Sequence, residues 1–374
     1  MIRIHPGCVS DSEEFSTLST DIEIDGEKTN VYLSVQPEYG KFFAPERADY
    51  ALIGLLAYAM RHGHDIICEV PVTEELLYNI REMLIPTLVR SDSRGYHTKI
   101  QADIAPPLKK LPFAVGKLGA VGTGVSFGVD SAYTILKHFN SVYPNQNLTH
   151  LCIFQNGSAV TADPLINEKI FEHAEAVAKE FNLPILKVES NVKTFVKQKH
   201  VASHTYKDVL IMYAMQKLWR VYYYSGAYPF SDFSLKDNLY TATGHFDPFL
   251  LDCFSTSNLR IVPAGSEGDR DDKIDFIIDN PIVQKYLHVC VLKPFNCGKC
   301  FKCYRMLLAL DAAGKLDEFR ESFDIDDYLK KRKKIYGYLN NRIKEDPNHP
   351  FLAKSYKILY ERHKKLFDKL NAKK

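Results

Sequence analysis

The sequence predicts an α/β fold: a parallel sheet with helices on both faces, preceded by an N-terminal α+β module and followed by C-terminal helices. Three observations predict it. From about residue 118, short apolar runs alternate with helical periodicity, the pattern of parallel strands joined by right-handed crossover helices. Before residue 110, period-two segments and helical segments form a group of their own. Past Arg305 the apolar spacing is helical throughout.

Taken in order, Asp21-Ile22-Glu23-Ile24-Asp25 alternates at period two, and Asn30-Val31-Tyr32-Leu33-Ser34-Val35 follows a turn at Gly26-Glu27-Lys28, a hairpin signal. Residues 48–61, rich in Ala, Leu and Tyr, predict a helix, and Asp65-Ile66-Ile67-Cys68-Glu69-Val70 predicts a short buried strand. Residues 72–88 predict a second helix, with Thr73 as its cap and Glu74 and Glu75 where the helix dipole favours acid. The Pro-rich stretch 105–112 is the best linker in the chain. Beyond it, residues 120–127, 148–154 and 183–188 predict strands, and 131–139, 167–181 and 206–219 predict helices. Residues 220–225 and 259–263 supply further strands, and Pro347 and Pro350 separate two final helices. The expected divisions are 1–110, 118–310 and 311–374.

The 374 residues are 45% hydrophobic and 25% charged, close to globular averages. No apolar run approaches the ~20 residues of a membrane helix, and Met1-Ile2-Arg3-Ile4-His5-Pro6 lacks the layout of a secretory signal. A soluble, cytoplasmic protein without a membrane partner is expected. From Lys330 to Lys374, 15 Lys and Arg face 4 Asp and Glu, a net +11, so the rest of the chain carries −9 against a total of +2. Such a tail suits nucleic acid or an acidic partner, or is a solvated helical face, since Ile335, Tyr338, Leu339 and Ile343 recur there at helical spacing.

Chemistry concentrates in two places. An apolar strand runs into Ser126-Phe127-Gly128-Val129-Asp130-Ser131, and a helix begins at once. Loop amides and a helix N-terminus together cradle a phosphate. Gly128 permits an unusual backbone conformation and a close approach, and the Ser126 and Ser131 hydroxyls donate to phosphate oxygens. Asp130 is an odd neighbour for a phosphate unless Mg²⁺ lies between them or it caps the helix. The loop is neither the lysine-bearing Walker loop nor G-x-G-x-x-G. The second place is Cys290 followed by Cys297-Gly298-Lys299-Cys300-Phe301-Lys302-Cys303-Tyr304-Arg305. This spacing suits a closed, structural four-thiolate Zn²⁺ site, with Lys299, Lys302 and Arg305 offsetting thiolate charge. An iron–sulfur cluster, a redox pair or free buried thiols are the competing readings.

The loop resembles the S-G-G-x-D-S signature of the PP-loop ATP pyrophosphatases, with Phe127 in place of the first glycine. The cysteine pattern C-G-x-C-x-x-C-x-x-R, downstream of that loop, resembles the zinc-binding tail of the 7-cyano-7-deazaguanine synthase branch. The resemblance spans about residues 118–310. It implies an adenine nucleotide α-hydrolase-like fold and cleavage of ATP between the α and β phosphates, with Mg²⁺ and Zn²⁺ as cofactors. It further implies adenylation of a carboxylate such as 7-carboxy-7-deazaguanine and its capture by ammonia or a protein amine, giving an amide, a nitrile or a protein conjugate. Nucleotide contacts are expected from residues 126–131 and from Gln155 and Asn156, which end the second strand. Arg270 and Lys273 are candidates to neutralise charge on the leaving pyrophosphate, although a solvated loop explains them equally well. Asp232, Tyr228 and Phe230 are candidates for the substrate base. A PP-loop thiolase or amidotransferase acting on tRNA or a sugar, and an inactive nucleotide-binding scaffold, are the alternatives. A homodimer is also compatible with the sequence.

Overall fold

Period-two segments build one ten-stranded sheet in the computed structural model, which describes residues 1–155, 164–195 and 198–372. In chain order the strands are β1 (Ile2–Asp11), β2 (Ser16–Ile24), β3 (Glu27–Val35), β4 (Ile66–Cys68), β5 (Ile100–Gln101), β6 (Ala120–Gly124), β7 (His150–Gln155), β8 (Ile185–Ser190), β9 (Trp219–Ser225) and β10 (Arg260–Ala264). The principal helices are α1 (Asp49–His62), α2 (Val129–Phe139), α3 (Pro164–Glu180), α4 (His204–Ala214), α5 (Asp247–Cys253), α6 (Arg270–Ile277), α7 (Phe301–Ala313), α8 (Ile325–Glu345), α9 (Ala353–Arg362) and α10 (Lys364–Asn371).

Across the sheet the order is β10-β9-β6-β7-β8-β3-β2-β1-β4-β5. The first five in that row are parallel. The chain starts at β6, fills one flank with β7 and β8, then crosses to fill the other with β9 and β10. That change of direction leaves a crevice beyond the carboxyl end of β6, where open α/β sheets place their ligands. Alternation along the strands feeds two cores. Cys152, Leu186 and Tyr222 enter one with α1, α4 and α5. Leu151, Ile153 and Val221 enter the other with α2, α3, α6 and the C-terminal helices.

The 105–112 stretch does not end the sheet. β3 pairs antiparallel with β8 through Val35–Val188, Ser34–Glu189 and Leu33–Ser190. Side-chain amides extend this short ladder at both ends. Gln36 Nε2 donates to Ile185 O at 3.0 Å while its Oε1 accepts from Lys187 N at 3.0 Å. Asn191 Oδ1 accepts from Tyr32 N at 2.9 Å and its Nδ2 donates to Asn30 O at 2.7 Å. The Pro-rich segment itself is tied down: Leu111 N donates to Lys217 O at 2.9 Å, and Leu108 O accepts from Asn258 Nδ2 at 2.7 Å.

Three local expectations change. Residues 72–88 are not one helix: the short helix Glu74–Tyr78 passes through a π turn, Asn79–Leu84, into Ile85–Ser91. Pro86 lacks an N–H and crowds the carbonyl four residues back, so the preceding turn widens. Thr73 makes no side-chain cap, because its hydroxyl donates instead to the buried Asp49 Oδ2 at 2.6 Å. The third helix ends at Ala214 rather than at residue 219, and Trp219 opens β9. Past Arg305 the chain is helical as expected, with Pro347 and Pro350 between α8 and α9 and a further break at His363. No described helix is long and apolar enough to cross a membrane.

His150 joins distant parts of the chain. Its ring stands edge-on to Tyr39, Phe113 and Trp219 at centroid distances of 6.0, 5.1 and 5.9 Å. It is 3% exposed, and burial lowers its pKa to about 4. The folded value lies below the unfolded one, so its contribution to stability is complete above pH ~6.5 and is lost as pH falls through about 4. We expect His150→Gln to flatten the pH dependence of the unfolding free energy across that window by up to roughly 3 kcal/mol, measured by urea denaturation at a series of pH values.

Candidate nucleotide site and metal centre

The alternation of β6 carries past Gly124: Val125 is buried, Ser126 exposed and Phe127 buried. Phe127 then turns the chain, with φ at 50°. Gly128, at φ −75° and ψ 177°, is the N-cap of α2. The unusual conformation expected of Gly128 therefore falls on its neighbour. What remains special at Gly128 is proximity, since a Cβ there would lie 3.4 Å from His288 O. The left-handed region disfavours a side-chain-bearing residue by about 1–2 kcal/mol. Phe127 offsets this as a core anchor, 0% exposed and edge-on to Phe181 at 6.2 Å. Its side chain points away from the crevice, and its carbonyl accepts from His288 N at 2.9 Å.

On the crevice side, Ser131 Oγ donates to Gly128 O at 3.3 Å and lies 3.1 Å from Ser126 Oγ. The first-turn N–H groups of α2, from Val129 onward, have no acceptor within the helix, and the positive end of its dipole points the same way.

Asp130 does not cap α2. Its Oδ2 accepts from Arg270 Nη1 at 2.8 Å and its Oδ1 from Lys273 Nζ at 3.1 Å. Lys273 Nζ also donates to Gly226 O at 2.6 Å, and the residue is only 1% exposed. Both cations sit in the first turn of α6, which Asp269 and Asp272 start with a capping box. Gly265, at φ 84°, lets the lysine stem pass, since a Cβ there would meet Lys273 Cε at 3.2 Å.

A cavity of about 570 Å³ opens in front of the loop, within the usual range for small-molecule sites. Ser126, Gly128, Val129, Asp130, Ser131, Gln155 and Arg270 line it, so the structure brings most of the predicted residues together. Lys273 stands behind Asp130 rather than in the wall. Asp232 lies on the exposed turn Phe230–Asp232, outside the lining, Phe230 is exposed, and Tyr228 packs on His245 at 4.2 Å. Asn156 lies outside the described residues.

The wall also contains residues that no motif marked, His173, His200, His204, Asp208 and Tyr224, together with Lys302, which the cysteine motif placed beside the thiolates rather than in this cavity. The four-residue spacing of His204 and Asp208 on α4, with His200 four residues earlier on the short turn His200–Ala202, was the available signal. Burial lowers the pKa of His173 to about 4 and of His204 to about 3, so these imidazoles are neutral at pH 7. The positive charge in the wall comes from Arg270 and Lys302. Burial, then Arg270 and Arg305, push the Lys302 pKa below its ordinary value.

Lys302 is placed by the cysteine cluster. The Sγ atoms of Cys290, Cys297, Cys300 and Cys303 lie within 4.8 Å of one another, with Cys290–Cys300 and Cys297–Cys303 both at 3.9 Å. A tetrahedron of thiolates at ~2.3 Å from Zn²⁺ has edges of about 3.8 Å. The donor set and spacing fit such an ion. Gly298, at φ 64°, makes the turn between Cys297 and Cys300, and Cys300 caps α7 by accepting from Cys303 N at 3.5 Å. Lys302 therefore lies in the first turn of a helix started by a cysteine of that cluster, and Cys290 itself borders the cavity.

The chain matches no family model, no curated protein and no solved structure.

Two outcomes follow for this region. Metal analysis should find about one zinc per chain, and Cys300→Ser should remove it and lower the thermal midpoint. Phe127→Gly should lose about 3–5 kcal/mol of aromatic packing and regain about 1–2 kcal/mol of backbone strain. A net destabilisation near 2–3 kcal/mol is expected from urea midpoints.

Proposed function

We propose that the chain adenylates a substrate carboxylate with ATP and passes the acyl group to a nitrogen nucleophile. The observation that carries this reading is the turn at Ser126–Ser131. It opens a helix at the switch point of a parallel sheet and faces a cavity whose charge is supplied by Arg270 and Lys302. The strand order β8-β7-β6-β9-β10 supports an adenine nucleotide α-hydrolase-like fold. The downstream cysteine cluster supports the deazaguanine branch of the PP-loop enzymes, and an acid such as 7-carboxy-7-deazaguanine.

In this scheme the substrate carboxylate attacks the α-phosphorus and pyrophosphate leaves. The α2 amides and the Ser126 and Ser131 hydroxyls hold phosphate oxygens. Arg270 and Lys302 face the charge that develops on the leaving group, which is where fixed cations accelerate most. Asp130 is a positioning residue: by holding Arg270 Nη1 and Lys273 Nζ it fixes the direction of the guanidinium. Mg²⁺ would neutralise phosphate charge. Both Asp130 oxygens are already engaged, so the fit favours an ion carried in on the nucleotide over one held by this carboxylate. The cysteine cluster is closed by four thiolates, and its part is to fix Cys290 and Lys302 in the wall.

Sulfur transfer has less support. Cys152 borders the cavity, but burial raises its pKa far above the ordinary thiol value, and a protonated thiol is a poor nucleophile. Cys68 and Cys253 are buried and Cys8 is remote in the N-terminal strands.

ATP–pyrophosphate exchange in the presence of candidate acids tests the proposal. Acid-dependent exchange is expected, with Arg270→Ala lowering it about 10²–10³-fold and Ser126→Ala less. ATP binding without exchange by any carboxylic acid would falsify the adenylation reading.

A further inference from the structure

Four cations gather near the phosphate loop, and three of them have a place already: Arg270 and Lys302 in the cavity wall and Lys273 behind Asp130. The fourth, Arg305, follows Lys302 by three residues on α7 and so shares its face of that helix. Arg305 does not line the cavity. Burial and then the Arg270 guanidinium are what most disfavour its charge, and the same two act on Lys302. Arg270 is therefore the common neighbour, and the three cations form one cluster that begins in the cavity wall and extends beyond it.

Arg305 is held without a counter-charge. Among the described residues, neither Arg305 nor Lys302 makes an ion pair or a hydrogen bond. Aromatic surface fixes the guanidinium instead: its Cζ lies 5.1 Å from the centre of the Phe301 ring and 4.3 Å from that of Phe351. Such contacts engage the face of a guanidinium and leave the N–H donors at its edge available. The nearer ring comes from the C-terminal segment, where the chain is tied down between α8 and α9. His349 N donates to Asp346 O at 3.1 Å, and Phe351 N donates to His349 Nδ1 at 3.2 Å. Leu352, 1% exposed, anchors the turn in the core, and Pro347 and Pro350 stiffen it. A half-buried cation whose donors are aimed but unused is destabilising until an anion meets it. Because the rings set its direction beforehand, little order is lost on binding.

We propose that Arg305 receives the γ-phosphate of ATP, with Phe351 as the positioning residue that aims it. This role rests on the adenylation reading, in which the bond that breaks joins the α and β phosphates. ADP contains that bond as well, so the α2 amides and the Ser126 and Ser131 hydroxyls do not by themselves tell the two nucleotides apart. A cation placed beyond the cavity wall does. A triphosphate leaving the cavity meets Lys302 and Arg270 first and Arg305 last, and the terminal phosphate offers the oxygens that a guanidinium fork bonds in parallel. The C-terminal segment thereby takes part in choosing the nucleotide.

Calorimetric titration of the full chain with the magnesium complexes of ATP, ADP and AMP, with no acid present, tests the assignment. The wild type should bind ATP about tenfold or more tightly than ADP. Arg305→Ala should weaken ATP about 10–100-fold and leave ADP and AMP as they were. Arg305→Lys keeps the charge without the fork and should recover only part of the loss. Phe351→Leu removes the ring face and should weaken ATP about tenfold, again without touching ADP. Should Arg305→Ala not fold, the last two variants carry the same comparison. A residue that only stabilised α7 would lower all three affinities together, so the ratio of ATP to ADP affinity is the readout. Equal binding of ATP and ADP by the wild type would overturn the receptor, as would a wild-type ratio in Arg305→Ala. Adenylation is read separately, from acid-dependent exchange. An Arg305-dependent ratio with no exchange by any acid would sink adenylation and keep the receptor, and exchange with an Arg305-independent ratio would do the reverse.

Discussion

A lysine ammonium buried to 1% exposure cannot stand without a counter-charge, and much of the crevice follows from how Lys273 is satisfied. Its partners are Asp130, at the start of α2, and the carbonyl of Gly226, just past β9. One side chain from α6 thereby joins the segments that leave β6, β9 and β10. Arg270 completes the arrangement from the same helical turn. Removing either partner of such a pair leaves a charge in an apolar setting, which is far more destabilising than the pair is stabilising. The carboxylate that looked out of place in a phosphate loop is therefore the point on which the two sides of the crevice are fixed.

The parts legible in the sequence were those whose chemistry is local. The loop at Ser126–Ser131 and the cysteines at three-residue spacing are each set by a few consecutive residues, and the structure brings each group together. Gly128 shows the limit of that reasoning. A glycine suggested a left-handed turn, but strand alternation had already committed residue 127 to the core, so the turn fell on a phenylalanine. The wall formed by α4 was illegible because His204 gains meaning only beside Tyr224, on a strand that pairs elsewhere. The pairing of β3 with β8 was equally hidden, since it joins residues about 150 positions apart in the chain.

The C-terminal helices show the same mixture of local and distant causes. Much of their positive charge is exposed, as at Lys330, Lys333, Lys334 and Lys344. Some of it is structural. Arg332 Nε donates to the buried Asp311 of α7 at 2.8 Å, alongside the hydroxyls of Tyr328 at 2.6 Å and Tyr336 at 2.8 Å. Arg362 bonds the last carbonyls of α7, Asp311 O at 2.7 Å and Ala312 O at 3.0 Å, where a cation also complements the helix dipole. The helix that carries Lys302 is thus held at one end by the cysteine cluster and at the other by the basic segment.

The seam between β3 and β8 has a consequence for how the chain avoids itself. A parallel sheet ending at β8 would offer an open row of N–H and C=O groups to any similar edge, the usual start of edge-to-edge association. Leu33 and Val35, with Gln36 and Asn191 completing the ladder, occupy that row permanently. The N-terminal strands act there as a built-in chaperone for the parallel half of the sheet, and the edge they move outward is the short strand Ile100–Gln101, which gives a second copy little to pair with.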